Sequence, residues 1–288
     1  MAHDIAIGID IGGTSIRVGL VKARRGLLTL RKAATPVGGP PGGLRATITR
    51  LVSKLVQSVG PHVASTPVGV ALPGRWRPAD TVMEVAVNLP ALQGVNMREL
   101  FESALPNRPI HLFPDVSAAA YAQWRALDTP PQRFVYLTIG TGVGGCAILD
   151  GRVLDSTTGG PAHLGHLVVD TSPDAPQCRC GARGCLEACV CGPALERLGV
   201  NEMAVRRLAV GLQQLAHLFV PEVIAIGGGV IAYRPELVDG AAGVLATLSG
   251  QLVPTPRICR APLPSDEAGV IGAGLRALED NTRPPASA

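Results

Sequence analysis

Residues 5–21 read IAIGIDIGGTSIRVGLV. Two apolar, β-branched runs, IAIGID and IRVGLV, flank the turn IGGTS, whose glycines supply the backbone freedom that a tight reversal needs. The stretch therefore predicts a hairpin of strand, glycine turn and strand. The same design returns at residues 134–154, FVYLTIGTGVGGCAILDGRVL. Two hairpins of one pattern predict a duplicated α/β domain, each copy presenting a glycine turn to one cleft. The boundary falls near Phe113. Residues 1–113 form a small first domain, 114–269 a larger second one, and a C-terminal helix within 270–288 folds back to complete the first.

Residues 36–43, PVGGPPGG, read as a loop, and RATITRLVSKLVQSVG (45–60) has the apolar spacing of an amphipathic helix. PVGVALPG (67–74) supplies a buried strand, and HLFPDVSAAAYAQWRAL (111–127) reads as strand, turn and helix. VPEVIAIGGGVIA (220–232) is a further strand ending in glycines, and PSDEAGVIGAGLRALED (264–280) a turn and helix.

Composition removes several function classes. With 47% apolar and 17% charged residues, the chain of 288 has the makings of a compact globular protein rather than a disordered one. The net charge of +4 is spread along the chain, with no basic run longer than two residues, so no nucleic-acid partner is expected. No apolar stretch reaches the length of a membrane span, and the first residues lack the pattern of a secretion signal. A cytoplasmic protein is expected.

Gly140, Gly142 and Gly145 stand in G-x-G-x-x-G spacing, but the segment continues as a strand where a dinucleotide fingerprint must open a helix. No glycine loop ends in Gly-Lys-Ser/Thr, which removes a Walker loop. What remains is a pair of turns whose backbone N–H groups can cradle phosphate without a lysine.

Five of the seven cysteines lie between Cys178 and Cys191. Cys178, Cys180 and Cys185, with Gly181 and Gly184 between them, form a tight knuckle suited to Zn²⁺, which takes four tetrahedral ligands. His166 is the natural fourth. Cys189 and Cys191 are either rival ligands or inert buried thiols.

DIGGTSIRVGLV, LTIGTGVGG, CRCGARGCLE, AIGGGVI and DEAGVIGAG, in this order, resemble the ROK family of sugar kinases and related repressors. The resemblance implies an α/β, actin-like/ribonuclease H-like ATPase fold with two related domains around a nucleotide cleft. It implies a first phosphate turn of Asp10, Gly12, Gly13 and Thr14, with Asp10 near Mg²⁺. A second turn comprises Thr141 and Gly142, while Gly227, Gly228 and Gly229 flank the adenosine of ATP. The zinc would be structural, and a homodimer is implied.

The family carries an Asn-Asp pair where this chain has Pro114 and Asp115, with the Asp as catalytic base for the acceptor hydroxyl. By local sequence alone Asp115 reads equally as a helix N-cap. Asn88 and Glu187 match family sugar contacts. In GGPAHLGHLVVD (159–170) the family reads Gly-Glu-x-Gly-His, so His166 takes the zinc position and His163 replaces a substrate-binding Glu. Pro114 and His163 alter two principal polar positions of the acceptor pocket. The resulting expectation is an ATP-dependent kinase acting on the primary hydroxyl of a modified hexose, such as an amino sugar, or of a C7 cyclitol. A glucokinase or N-acetylhexosamine kinase is the first alternative, and a non-catalytic ligand-binding or regulatory relative the second. Only residues 188–204 separate the cysteine motif from the helix VRRLAVGLQQLAHLF, shorter than in typical relatives. The absence of an N-terminal helix-turn-helix counts against the repressor branch.

Overall fold

The computed structural model describes residues 4–36, 40–60, 63, 65–77, 79–86, 88–154, 163–248 and 250–281. The described chain divides into two compact units: residues up to Ala122 with those from Asp266 onward, and residues from Gln123 to Ser265. This division falls after Ala122, inside a helix, and again at Ser265/Asp266.

In the first unit the opening stretch is the predicted hairpin, β1 (Ile5–Ile11) and β2 (Ser15–Lys22), paired antiparallel with Asp10 opposite Arg17. It extends into β3 (Gly26–Ala34), a strand the apolar pattern does not announce because its residues are mostly half-exposed. Then come α1 (Pro41–Val59), β4 (Val68–Leu72), a small hairpin of β5 (Arg75–Trp76) and β6 (Met83–Val85), α2 (Met97–Ala104), β7 (Ile110–Pro114) and α3 (Asp115–Arg125). The five-stranded sheet has the order β3-β2-β1-β4-β7, with β1, β4 and β7 parallel.

Two expectations need correction here. The loop assigned to 36–43 is helical from Pro41: proline's fixed φ suits a first helical turn, where its missing N–H has no intrahelical partner in any case. Residues 37–39 of that loop lie outside the described residues. No turn intervenes between Pro114 and Asp115 either, because strand β7 passes directly into helix α3.

The second unit repeats the plan. β8 (Arg133–Ile139), β9 (Val143–Leu149) and β10 (Arg152–Val153) form the second hairpin and its extension. There follow α4 (Leu186–Val190), α5 (Gly192–Leu198), α6 (Glu202–Phe219), β11 (Val223–Gly227), α7 (Gly229–Tyr233), α8 (Glu236–Leu248), β12 (Arg257–Arg260) and α9 (Ser265–Asp280), which begins at Ser265 and runs into the first unit. The sheet order, β10-β9-β8-β11-β12, reproduces the first sheet strand for strand, including its change from antiparallel to parallel pairing. These twin sheets are the actin-like, ribonuclease H-like ATPase fold.

Helix α1 buries Leu44, Ile48, Leu51, Val52 and Leu55, the i, i+4, i+3 stripe that its sequence predicts. Each such side chain contributes about 1.5–3 kcal/mol when fully removed from water. Helix α9 packs so closely that a Cβ on Gly8 would lie 2.0 Å from Val270 O, and one on Gly69 1.9 Å from Ala273 O. In the second unit α6 buries Leu208, Leu212 and Leu215, and its amino end is capped by Asn201, whose side chain accepts from the Ala204 N–H. Among the described residues, no helix is long and apolar enough to cross a membrane.

Candidate functional site

Within the first unit the glycine turn between β1 and β2 is closed by Gly12 N–H donating to Ser15 O at 2.9 Å. The Thr35 hydroxyl, just beyond β3, donates to Gly12 O at 2.6 Å. A Cβ on Gly13 would stand 3.0 Å from Asn88 Cβ, so the expected phosphate turn and the expected acceptor contact are neighbours. Asp10, at the end of β1, accepts from Arg17 Nη1 at 3.1 Å. Burial raises the Asp10 carboxyl above its ordinary range, and Arg17 counteracts part of the rise. A Cβ on Gly269 of α9 would come within 2.8 Å of the Asp10 carboxyl carbon, so only glycine leaves that carboxylate room.

Asp115 is the first residue of α3 and its Oδ1 accepts from the N–H of the very next residue, Val116, at 2.7 Å, rather than from the second or third residue on, which a helix cap reaches. Its carboxyl is nevertheless raised to about 6. Burial is the main cause. The Val116 N–H pulls the other way, and the charge of Asp10 pushes up again.

Within the second unit the turn after β8 is held by Gly140 N–H donating to Gly142 O at 2.9 Å and by Gly192 N–H donating to Gly140 O at 2.7 Å. Thr141 is exposed, and its carbonyl accepts from Arg179 Nη2 at 3.3 Å. Glu187 lies directly beneath this turn: Oε2 accepts from Val143 N–H at 3.0 Å and would meet a Cβ on Gly142 at 2.6 Å. At the end of β11, Gly228 has φ +98, and a Cβ there would meet Ile139 O at 2.3 Å. Gly227 is crowded less severely, a Cβ there meeting Ala261 Cβ at 2.8 Å and the Tyr136 hydroxyl at 3.0 Å. Beside these glycines opens a cavity of about 400 Å³ lined by Gly227, Gly228, Ile231, Arg260, Pro262 and their neighbours.

His166, Cys178, Cys180 and Cys185 converge, with one ligand atom from each inside a 4.8 Å span. His166 Nδ1 lies 3.6 Å from Cys178 Sγ, and Cys180 Sγ lies 3.6 Å from Cys185 Sγ. In a tetrahedral zinc site with Zn–S bonds of about 2.3 Å the sulfurs stand about 3.8 Å apart, so the set fits that ion. Gly181 and Gly184 both take positive φ, and a Cβ on Gly184 would strike Asp170 O at 1.8 Å, which explains why the knuckle needs glycines there. Burial pushes the Cys185 thiol up to about 12, whereas the Ala182 N–H and the neighbouring thiols lower that of Cys180. Cys189 and Cys191 are buried and stand outside the four-residue group; burial holds the Cys189 thiol at about 11, the state of an inert core cysteine. His163 is exposed, its ring 6.0 Å from that of His166. The residues just before it, 155–162, lie outside the described residues.

The sequence profile of the ROK family matches residues 6–202. The chain belongs to the ROK family. Over 305 aligned residues this ROK protein is 29% identical to an N-acetylmannosamine kinase of Citrobacter koseri, covering 95% of the chain and 99% of that protein. Its structure is similar to the ROK hexokinase of Thermus thermophilus, with a TM-score of 0.82 and 29% identity over 96% of this chain and 99% of that one. It is also similar to a ROK glucokinase of Streptomyces griseus solved with glucose and AMPPNP, with a TM-score of 0.72, 25% identity and coverage of 93% and 97%.

Arg17 is the residue of this ROK protein that sequence reading passed over. Hairpin register carries the signal, since a turn closed at Ile11 and Ile16 places Arg17 opposite Asp10 on one face of the sheet. Thr35 gave no such signal, because its contact with the turn depends on the path of β3.

Proposed function

We propose that this ROK protein transfers the γ-phosphoryl group of ATP to a primary hydroxyl of a sugar or sugar-like acceptor, with an amino sugar or its N-acetyl form favoured over glucose and a C7 cyclitol as a further candidate. The observation that carries the reading is Asp115, a carboxyl brought to about 6 at the junction of a parallel strand and a helix. Such a group is ionised at neutral pH and still basic enough to take a proton as the hydroxyl oxygen attacks. Phosphoryl transfer asks little else of the protein beyond positioning and charge neutralisation.

In this reading the turn of Gly12, Gly13 and Thr14 and the turn of Thr141 and Gly142 offer backbone N–H groups to phosphate oxygens. Gly227, Gly228 and Gly229, beside the cavity of about 400 Å³, receive the adenosine. Asp10 holds Mg²⁺, an ion taken by one or two carboxylates together with substrate phosphates, whose charge it offsets. Asn88, His163 and Glu187 contact the acceptor. His166, Cys178, Cys180 and Cys185 hold a structural Zn²⁺, closed to water by its four protein ligands. The amino-sugar preference draws on the likeness to N-acetylmannosamine kinase and on His163 and Pro114, which stand where the family has an acidic residue and an asparagine. A homodimer is proposed on family grounds.

The same two residues favour one other reading, a ROK protein that binds ligand without turnover. ADP release measured over hexoses, hexosamines, N-acetylhexosamines and cyclitols separates the two. Turnover with an amino sugar well above glucose is expected; ATP binding with no turnover on any acceptor would establish the non-catalytic reading instead.

A further inference from the structure

Strand β7 delivers Asp115 through Phe113 and Pro114, and helix α9 packs on either side of it, against Phe113 and against Ser117 and Ala118 of α3. A Cβ on Gly272 would lie 1.7 Å from Ala118 O, so the backbones of α9 and α3 touch. One turn further along α9, Arg276 lays its guanidinium carbon 4.2 Å from the centre of the Phe113 ring. On the same strand His111 stacks with Phe113 at 6.5 Å and 6°. Arg276 Nη1 also donates to Ser117 Oγ at 2.9 Å, and Ser117 Oγ donates to Pro114 O at 2.9 Å.

A serine in the first turn of a helix commonly bonds only its own backbone. Here Ser117 is fully buried, and its partner Arg276 lies 159 positions away in the sequence. Pro114 contributes no N–H, so its carbonyl is the only backbone hydrogen-bonding group by which that residue can be held. The peptide that this carbonyl belongs to ends at the nitrogen of Asp115, and its plane sets the direction from which the Asp115 side chain leaves the backbone.

We infer that Arg276 and Ser117 are positioning residues for Asp115: the guanidinium fixes the Ser117 hydroxyl, and the hydroxyl fixes the Pro114–Asp115 peptide. The inference rests on the reading of Asp115 as the base. With the clamp intact, Asp115 Oδ1 sits 2.7 Å from Val116 N, a bond that lowers its pKa. The charged groups facing it within this unit are Asp10 from β1 and, through Asp10, Arg17 from β2. Loosening the peptide weakens the Val116 bond while leaving burial and Asp10 in place, so the carboxyl moves further up.

The test uses the full chain with ATP and the best acceptor of the panel. Ser117→Ala and Arg276→Met are each expected to lower kcat about 10- to 100-fold, the scale set by small misplacement of a catalytic group, with KM for ATP retained. Ser117→Thr, which keeps the hydroxyl, is expected to stay near the parent. The acid limb of the kcat profile and the ¹³C titration of the Asp115 carboxyl should both move to higher pH in the two damaging variants. If Ser117→Ala fails to fold, Arg276→Met answers the same question. An Asp115 titration unchanged in a folded damaging variant overturns the inference. The carboxyl titration needs no turnover, so it stands apart from the kinase reading, which fails independently if Asp115→Asn keeps full activity.

Discussion

Glu187 Oε2 accepts the Val143 N–H at 3.0 Å, and its other carboxylate oxygen lies 3.9 Å from Cys178 Sγ. One side chain thus touches both the second glycine turn and the cysteine knuckle. Glu187→Gln keeps an oxygen able to accept from Val143 and removes only the charge, whereas Glu187→Ala leaves that N–H unpaired. A lost hydrogen bond to a charged group is worth about 1.5–3 kcal/mol, so ADP binding should weaken about 10- to 100-fold in the Ala variant and far less in the Gln variant. Calorimetric titration with ADP checks this; equal losses in both would mean that the charge, not the strut, matters for the nucleotide.

Asp115→Asn should lower kcat by about 10²–10⁴, the usual contribution of a positioned base, while ADP affinity is kept. In the parent, kcat/KM should rise with pH through about 6 as Asp115 ionises. Stability runs the other way. The folded pKa is raised from 3.8 to about 6, so the contribution of this group is fully present below about pH 4 and is lost as pH rises through 6. The shift of about two units corresponds to about 3 kcal/mol at most, and the partial exposure of Asp115 reduces it. Asp115→Asn is therefore expected to be more stable than the parent at pH 8, with the difference vanishing near pH 4. Urea unfolding at the two pH values gives the comparison.

With the proposed zinc bound in the parent, Cys180→Ser is expected to lose it and to melt at a lower temperature, because one of the four donors is gone. Cys189→Ser, outside the four-residue group, should keep it. Zinc content per chain by elemental analysis, read beside thermal unfolding, decides; full zinc in Cys180→Ser would move the fourth ligand elsewhere.

Both hairpins were legible because each element is a buried apolar run broken by a glycine turn, a pattern that burial of β1, β2, β8 and β9 enforces directly. The convergence of the cysteine knuckle was legible because its members are close in sequence and its glycines mark the two positive-φ positions. β3 was not, since a strand with half-exposed residues on both faces carries no strong period. The start of α1 was hidden by a proline-glycine run that reads as loop. The Arg276–Ser117–Pro114 chain was invisible for another reason: Arg276 lies 159 positions from Ser117, and only the docking of α9 on α3 brings them together.

His163 is exposed and stands where the family motif has an acidic residue, one position before the turn of Leu164–His166 that carries the knuckle histidine. A neutral imidazole offers one donor and one acceptor, whereas a carboxylate accepts through two oxygens and donates nothing. An acceptor that presents two hydroxyl donors gains from the carboxylate; one that presents a carbonyl, such as an N-acetyl group, gains from the imidazole N–H. His163→Glu is therefore expected to shift kcat/KM toward unmodified hexoses and away from N-acetylhexosamines, by about 10-fold or more for one exchanged hydrogen bond. The ratio of the two specificity constants in parent and variant is the measurement. Because His163 stands outside the four-residue group, zinc content is expected to be the same in parent and variant, and a change in the ratio at equal zinc content assigns the effect to the acceptor side of the residue. A ratio that does not move removes His163 from the acceptor pocket.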